Sequence, residues 1–441
     1  MNESGEGNDH APSEEPVASG PDADDDGSPV GRPADGSAVD DDATGTSGVG
    51  APGAGRGAIT PMRAIVAAAA ALLVIVVAVA VSRTEPEPDP VVASPPPASP
   101  STTVGTIATT TSTGSTTTTI GTTTTTRAPR NPHTGPPGPL TGAPVERPGY
   151  EQRPALVVKI DNYDPSARPQ AGLTNADVVY EEKVEGPYSR FAAVFQGTDA
   201  AVVGPVRSAR STDVAIVGPL NTPLFAYSGA NGGFLNLLAM SPLIDVGAAR
   251  NGSYYRGGDK PMPHNLYSST AGLYGGRMGG APAPLFTFRG ATQAPGPGAR
   301  PAVGASYHFG GGVTAVSWAW DPAEGGWVRT QNGSLHLDTG NWPVTVDNLV
   351  IEYLPYVASS SHDMYGNPIP EAEMHGEGRG WVLTGGAAIP VIWSKFALDA
   401  RTDYYGPDGQ LVRFAPGRTW VALVPVELGA SISFADGTVG A

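Results

Sequence analysis

The sequence predicts a mixed α and β globular module in two halves, an N-terminal α/β half and a C-terminal β-rich half, preceded by a disordered tail and one transmembrane helix. Three observations carry this reading. Short apolar runs separated by turn residues begin only after about residue 141; an uninterrupted apolar run occupies 64–81; and the stretch before that run is rich in Gly, Pro and Asp with little to bury.

The tail comes first. Over residues 1–60, thirteen acidic residues face only Arg32 and Arg56, so most of the formal net charge of −16 resides there. Such a segment lacks the apolar surface needed to offset its ordering entropy and reads as a disordered, solvated cytoplasmic spacer. No basic stripe interleaved with aromatics occurs elsewhere, so nucleic acid is not an expected partner.

Residues 64–81 are eighteen apolar residues, ten of them Leu, Ile or Val. As a helix they would span roughly 27 Å, close to the hydrocarbon thickness of a bilayer. We read 62–83 as a single-pass anchor rather than a cleaved signal peptide, whose apolar region is usually shorter and does not follow a long acidic leader. Arg56 and Arg63 precede the run and only Arg83 closely follows it, which places the N-terminus inside. The Pro-, Thr- and Ser-rich stretch 84–140 reads as an extracytoplasmic stalk: 101–126 holds nineteen Ser or Thr in twenty-six positions. The absence of cysteine removes disulfides, thiol chemistry and a lipidated cysteine.

Within the module, 155–160, 177–182 and 191–195 are strand candidates, and 211–217 and 234–240 read as helices. The aperiodic, Gly- and Pro-rich 290–303 is the expected boundary between domains at 141–290 and 304–430. The second half carries strand candidates at 315–320, 327–330, 334–338, 349–353, 380–383, 389–393 and 419–424. Turns such as Gln331-Asn332-Gly333 separate them.

KIDN (159–162), ARPQAGL (167–173), ADVVYEEKVEG (176–186), SRFAAVF (189–195), GPVRSAR (204–210) and PHNLY (263–267) follow in order. Together with WSKF (393–396) and PGRTWVALVP (416–425), this combination resembles the YerB-like family of bacterial envelope lipoproteins. The resemblance implies an N-terminal and a C-terminal domain, location in the envelope and no established activity, substrate or cofactor. Many members carry a lipidated cysteine where this chain offers 64–81.

Arg207 and Arg210 fall just before or within the first turn of a predicted helix, where cations oppose the helix dipole unless an anion compensates. With Arg190, and with Asn265 in the PHNLY loop, they are the candidates for an anion or ligand site. The alternative is internal pairing with Glu181, Glu182 or Glu185. Strand alternation sends Glu181 and Glu182 to opposite faces, so at most one joins any one cluster. Asp161, Glu182 and His264 are the weak candidates for proton transfer. His336 and Asp338 share a strand face without a third metal ligand and read as a surface pair; no metal site is assigned. HExxH, P-loop, GxSxG and EF-hand signatures do not occur, and GGRMGG at 275–280 is too short to signify a phosphate loop.

Two functions fit. The first is a membrane-anchored extracytoplasmic module that binds a cell-wall polymer or an envelope protein, with no cofactor. The second is an enzyme acting on an anionic cell-wall polymer or a lipid-linked phosphate, with the arginines gripping the anion.

Overall fold

The computed structural model describes residues 133–163, 165–258, 260–363 and 366–441. The expected tail, the apolar run at 64–81 and most of the stalk lie outside them. Among the described residues, no helix is long and apolar enough to cross a membrane.

The first strands form where β-branched and aromatic residues cluster. β1 (Leu156–Asp161), β2 (Val178–Lys183) and β3 (Ser189–Phe195) are an antiparallel set in the order β1, β3, β2. The short β4 (Leu224–Ala226) and β5 (Ile244–Asp245) add to β1 in parallel. On the far side of β2 the sheet continues directly into the C-terminal half. β13 (Thr419–Pro425) pairs parallel with β2, from Val178 opposite Thr419 to Glu182 opposite Leu423. Then come β9 (Asn348–Leu354), β10 (Gly376–Thr384), β11 (Ala387–Lys395) and β12 (Asp403–Tyr405). One twisted sheet therefore runs through strands of both sequence halves.

A second layer of strands, joined to the main sheet where Pro301 and Arg300 stand opposite Ala387 and Ala388 of β11, packs on one face of it. β6 (Arg300–His308) pairs with β7 (Ala315–Asp321) and β14 (Ala430–Phe434), and β7 pairs with β8 (Gly326–Gln331). β6 begins inside the stretch 290–303 read above as a turn-rich boundary. Its inward positions Ala302, Ala305 and Tyr307 are buried against Leu156, Val158, Phe191, Trp420 and Trp318. The opposite face of the main sheet buries Val157, Val194, Val421 and Leu423 under two short helices, α1 (Asp213–Val217) and α2 (Gly232–Met240), which supply Ile216, Val217, Phe234 and Leu238. The short α3 (Thr270–Tyr274) instead packs on the first face, where Leu273 is buried with Leu156 and Val158. Each fully buried Val, Leu or Phe contributes about 1.5–3 kcal/mol relative to exposure, so both cores favour one strand register.

Polar side chains interrupt both cores. On the second-sheet side Glu181 accepts from Arg329 Nη2 (2.7 Å), Ser189 Oγ (2.8 Å), Tyr307 Oη (2.9 Å) and Trp420 Nε1 (3.1 Å). Arg329 also donates to Gln331 Oε1 and to His336 Nδ1. Since guanidinium can only donate, His336 Nδ1 accepts and Nε2 carries the proton to Gln170 Oε1, at 2.8 Å. Burial and Arg329 hold His336 well below its ordinary pKa. His336 and Asp338, expected as a surface pair, are in fact both buried. Asp338 accepts from the amides of Gly172 and Thr174, tying the loop after β1 to the second half.

Candidate functional site

The alternation that sends Glu181 to one face sends Lys159, Asp161, Glu182 and Arg190 to the other. Lys159, fully buried, donates to Glu182 Oε1 and to Asp213 Oδ1 (2.7 Å). Asp213 Oδ2 accepts the Arg210 amide at 2.7 Å, so the carboxylate that opens α1 closes the loop before it. Burial pushes the Glu182 carboxyl up to about 7, with Lys159 pulling it down and Asp213 pushing it up. Glu182 thus belongs to an internal ion cluster under α1.

Asp161, at the end of β1, stands directly opposite Arg190 at the start of β3. Its Oδ2 receives His264 Nδ1 at 2.6 Å and lies 3.4 Å from Arg207 Nε. The His264 ring stacks on Tyr163, centroids 5.3 Å apart, and Tyr163 packs on Tyr188. Asp161 therefore orients the imidazole, and His264 Nε2 has no partner among the described residues. Lys260 donates to the carbonyls of Ala167 (2.9 Å) and Pro169 (2.5 Å). Burial lowers its pKa to about 8, against the pull of Asp161.

The three arginines divide. Arg210 is paired internally, its Nε 3.3 Å from Glu185 Oε2 and its Nη2 on Glu185 Oε1. Burial pushes the Glu185 carboxyl up, but Arg210 outweighs it and holds the pKa below the ordinary value. Arg207 is a quarter exposed and, among the described residues, reaches only Asp161. Arg190 is 8% exposed, forms no ion pair among the described residues and makes one long bond, Nη1 to Ser208 O at 3.3 Å. Its Nε is buried without a partner. Burial and the neighbouring Arg210 lower its pKa to about 10, against Asp161 and Glu185.

The structure thus brings Asp161, His264, Arg190 and Arg207 together where β1 ends and β3 begins. Asn265 directs its side-chain oxygen to Arg256 Nη1 instead, at 2.7 Å. Lys260 and the Ser208 carbonyl belong to the site and went unread, because neither stands in a chemically suggestive spacing. A cleft of about 370 Å³ lies among Glu146, Asn175, Asp199 and Trp342. Its carboxylates serve the fold: Asp177 Oδ2 accepts the amides of Gln196 and Gly197, and Asp199 pairs with Arg153.

The family described as protein of unknown function DUF3048 matches twice, its N-terminal domain at residues 140–279 and its C-terminal domain at 305–421. YerB of Bacillus subtilis (strain 168), a lipoprotein candidate by its name, is 30% identical over 302 residues, covering 65% of this chain and 86% of YerB. The chain belongs to the YerB-like family. The crystal structure of Bacillus subtilis YerB superimposes with a TM-score of 0.58 at 26% identity, covering 67% of this chain and 99% of that one. The YerB-like fold is accordingly a two-domain, β-rich module with few helices.

Proposed function

We propose that this chain is a membrane-anchored binding module of the cell envelope that captures an anionic group of a cell-wall polymer or envelope protein between Arg190, Arg207 and His264. Its YerB relative carries a lipoprotein designation, and the run at 64–81 would anchor this chain, with the N-terminus inside and the module outside. The observation that carries the ligand is Arg190. A guanidinium so buried, facing other cations and lacking a partner for Nε, is a costly arrangement that an anion would relieve. The α/β character of the first half serves this reading, since loops at one edge of its strands converge on the same point.

The test is thermal unfolding of the parent and Arg207→Ala in sulfate, phosphate and acetate against chloride at equal ionic strength. A ligand that binds only the folded state raises the midpoint. Stabilisation of the parent beyond chloride, reduced in the variant, supports the reading; equal behaviour of all anions contradicts it.

One observation favours an enzyme acting on the same anion. Asp161 fixes His264 with Nε2 unpartnered, the arrangement of an oriented acid or base. In that reading His264→Ala abolishes turnover of an anionic envelope polymer while Arg207-dependent binding persists.

A further inference from the structure

Resting on that anion-binding reading, we propose that the anion is a phosphoryl group, seated on the amides of Gly232 and Gly233 at the start of α2 and gripped from the side by Arg190 and Arg207.

The chain leaves β4 through Ser228-Gly229-Ala230-Asn231-Gly232-Gly233 and enters α2, a nine-residue helix. Asn231 is its N-cap: the side-chain oxygen accepts from Phe234 N at 2.8 Å. Capping leaves the amides of Gly232 and Gly233, which have no acceptor among the described residues. Gly232 and Gly233 are both exposed; a Cβ at Gly232 would meet nothing within 4 Å, and one at Gly233 would lie 3.4 Å from Ser361 Oγ.

This loop is fastened to the arginines. Ser228 N donates to Arg207 O and Ala209 N to Gly229 O, both at 3.0 Å. Gly229 holds the left-handed backbone (φ 86°), and a Cβ there would lie 3.2 Å from Ser208 Oγ. Arg190 Nη1 bonds the carbonyl of that same Ser208. The loop that leads to the α2 amides and the 207–209 segment whose Ser208 carbonyl receives Arg190 are therefore bonded to each other and form one patch. β1 and β4 are parallel, so the patch lies outside the carboxyl ends of both strands, where α/β sheets hold ligands.

The donor set selects the anion. A carboxylate is satisfied by one guanidinium fork, whereas a phosphoryl group presents three oxygens, matching a fork plus helix amides carrying the positive end of the dipole. Around the patch Arg190, Arg207 and Lys260 outnumber Asp161, and Arg210 is matched by Glu185. α2 itself carries no charge and exposes Leu235, Leu237 and Met240, so the phosphate ester could be free or lipid-borne.

The experiment is calorimetric titration of the purified full-length chain with inorganic phosphate, glycerol phosphate and acetate, and flotation with vesicles of phosphatidic acid or phosphatidylcholine. Gly232→Pro removes one amide at a helix position that accepts proline, and Gly232→Ala retains it. Arg190→Lys keeps charge but loses the fork. We expect phosphate or its ester to bind more tightly than acetate, with affinity reduced about tenfold in Gly232→Pro and in Arg190→Lys and nearly unchanged in Gly232→Ala. Selective binding to phosphatidic acid would identify a lipid-borne ester, and binding of glycerol phosphate alone a free one; both support the proposal. Equal affinity of Gly232→Pro and Gly232→Ala overturns it, and so does Arg190→Lys binding phosphate as the parent does. Acetate binding without phosphate binding overturns the phosphoryl assignment and leaves the anion reading standing, while no anion binding removes both.

Discussion

Glu181 on β2 and Arg329 on β8 meet at 2.7 Å in a fully buried ion pair whose members are separated by 148 residues. The pair joins the two sequence halves inside the core between the sheets. Removing Arg329 leaves a carboxylate with no route to water, so Arg329→Met is expected to cost about 3–5 kcal/mol in denaturant unfolding. Glu181→Gln with Arg329→Met is expected to cost clearly less than the sum of the single changes. Strict additivity would show that the pair is not coupled.

Arg210 and Arg207 separate by stability. Arg210 is nearly buried on Glu185 and donates to Ala209 O, so Arg210→Ala is expected to cost about 1–3 kcal/mol. Arg207 is partly exposed, and Asp161 keeps His264 without it, so Arg207→Ala is expected to cost less than about 1 kcal/mol. Urea midpoints of both variants at neutral pH check the order.

The pH profile should show a shallow minimum. Burial raises the Glu352 carboxyl from 4.5 to about 7, with Tyr404 and Lys395 opposing. Between those values the folded state holds a proton that the unfolded state has released, so stability falls as pH rises. Burial lowers Lys395 from 10.5 to about 8, with Glu352 opposing. There the unfolded state holds the extra proton, so stability rises with pH. Unfolding free energy is therefore expected to be lowest at about pH 7–8. Glu352→Gln should flatten the acidic side; an unchanged slope would refute this assignment.

The fragment 133–441 is expected to unfold cooperatively on its own, because both cores are built from residues within it. In intact cells, labels placed after residue 83 should react from outside and labels in the acidic tail should not.

Much of this was legible in the sequence. The β-branched runs of β1 to β3 declared themselves, and alternation correctly separated Glu181, which meets Arg329, from Glu182, which meets Lys159. β6 escaped because its buried positions include Ala302 and Ala305, which give little apolar contrast in a Gly- and Pro-rich context. Asp161 and His264 are both named from the sequence as proton-transfer candidates and Arg207 as an anion ligand, yet nothing local shows that a loop more than a hundred residues away brings His264 onto Asp161. Nor could spacing reveal that Glu185 pairs with Arg210 and that Arg190 forms no ion pair among the described residues, because that division is decided by strand register and by the path of the 205–209 segment.

The most direct test of the central claim watches the Arg190 guanidinium itself. With arginine labelled by nitrogen-15 and the Arg190 Nε–H resonance assigned by its loss in Arg190→Lys, phosphate is titrated into the folded chain. An anion bound at this site should shift that resonance and slow its exchange with water, while Arg329, enclosed between the sheets, stays unchanged. An Arg190 resonance that does not respond while phosphate binds elsewhere, or that moves no more than Arg329, would contradict the account.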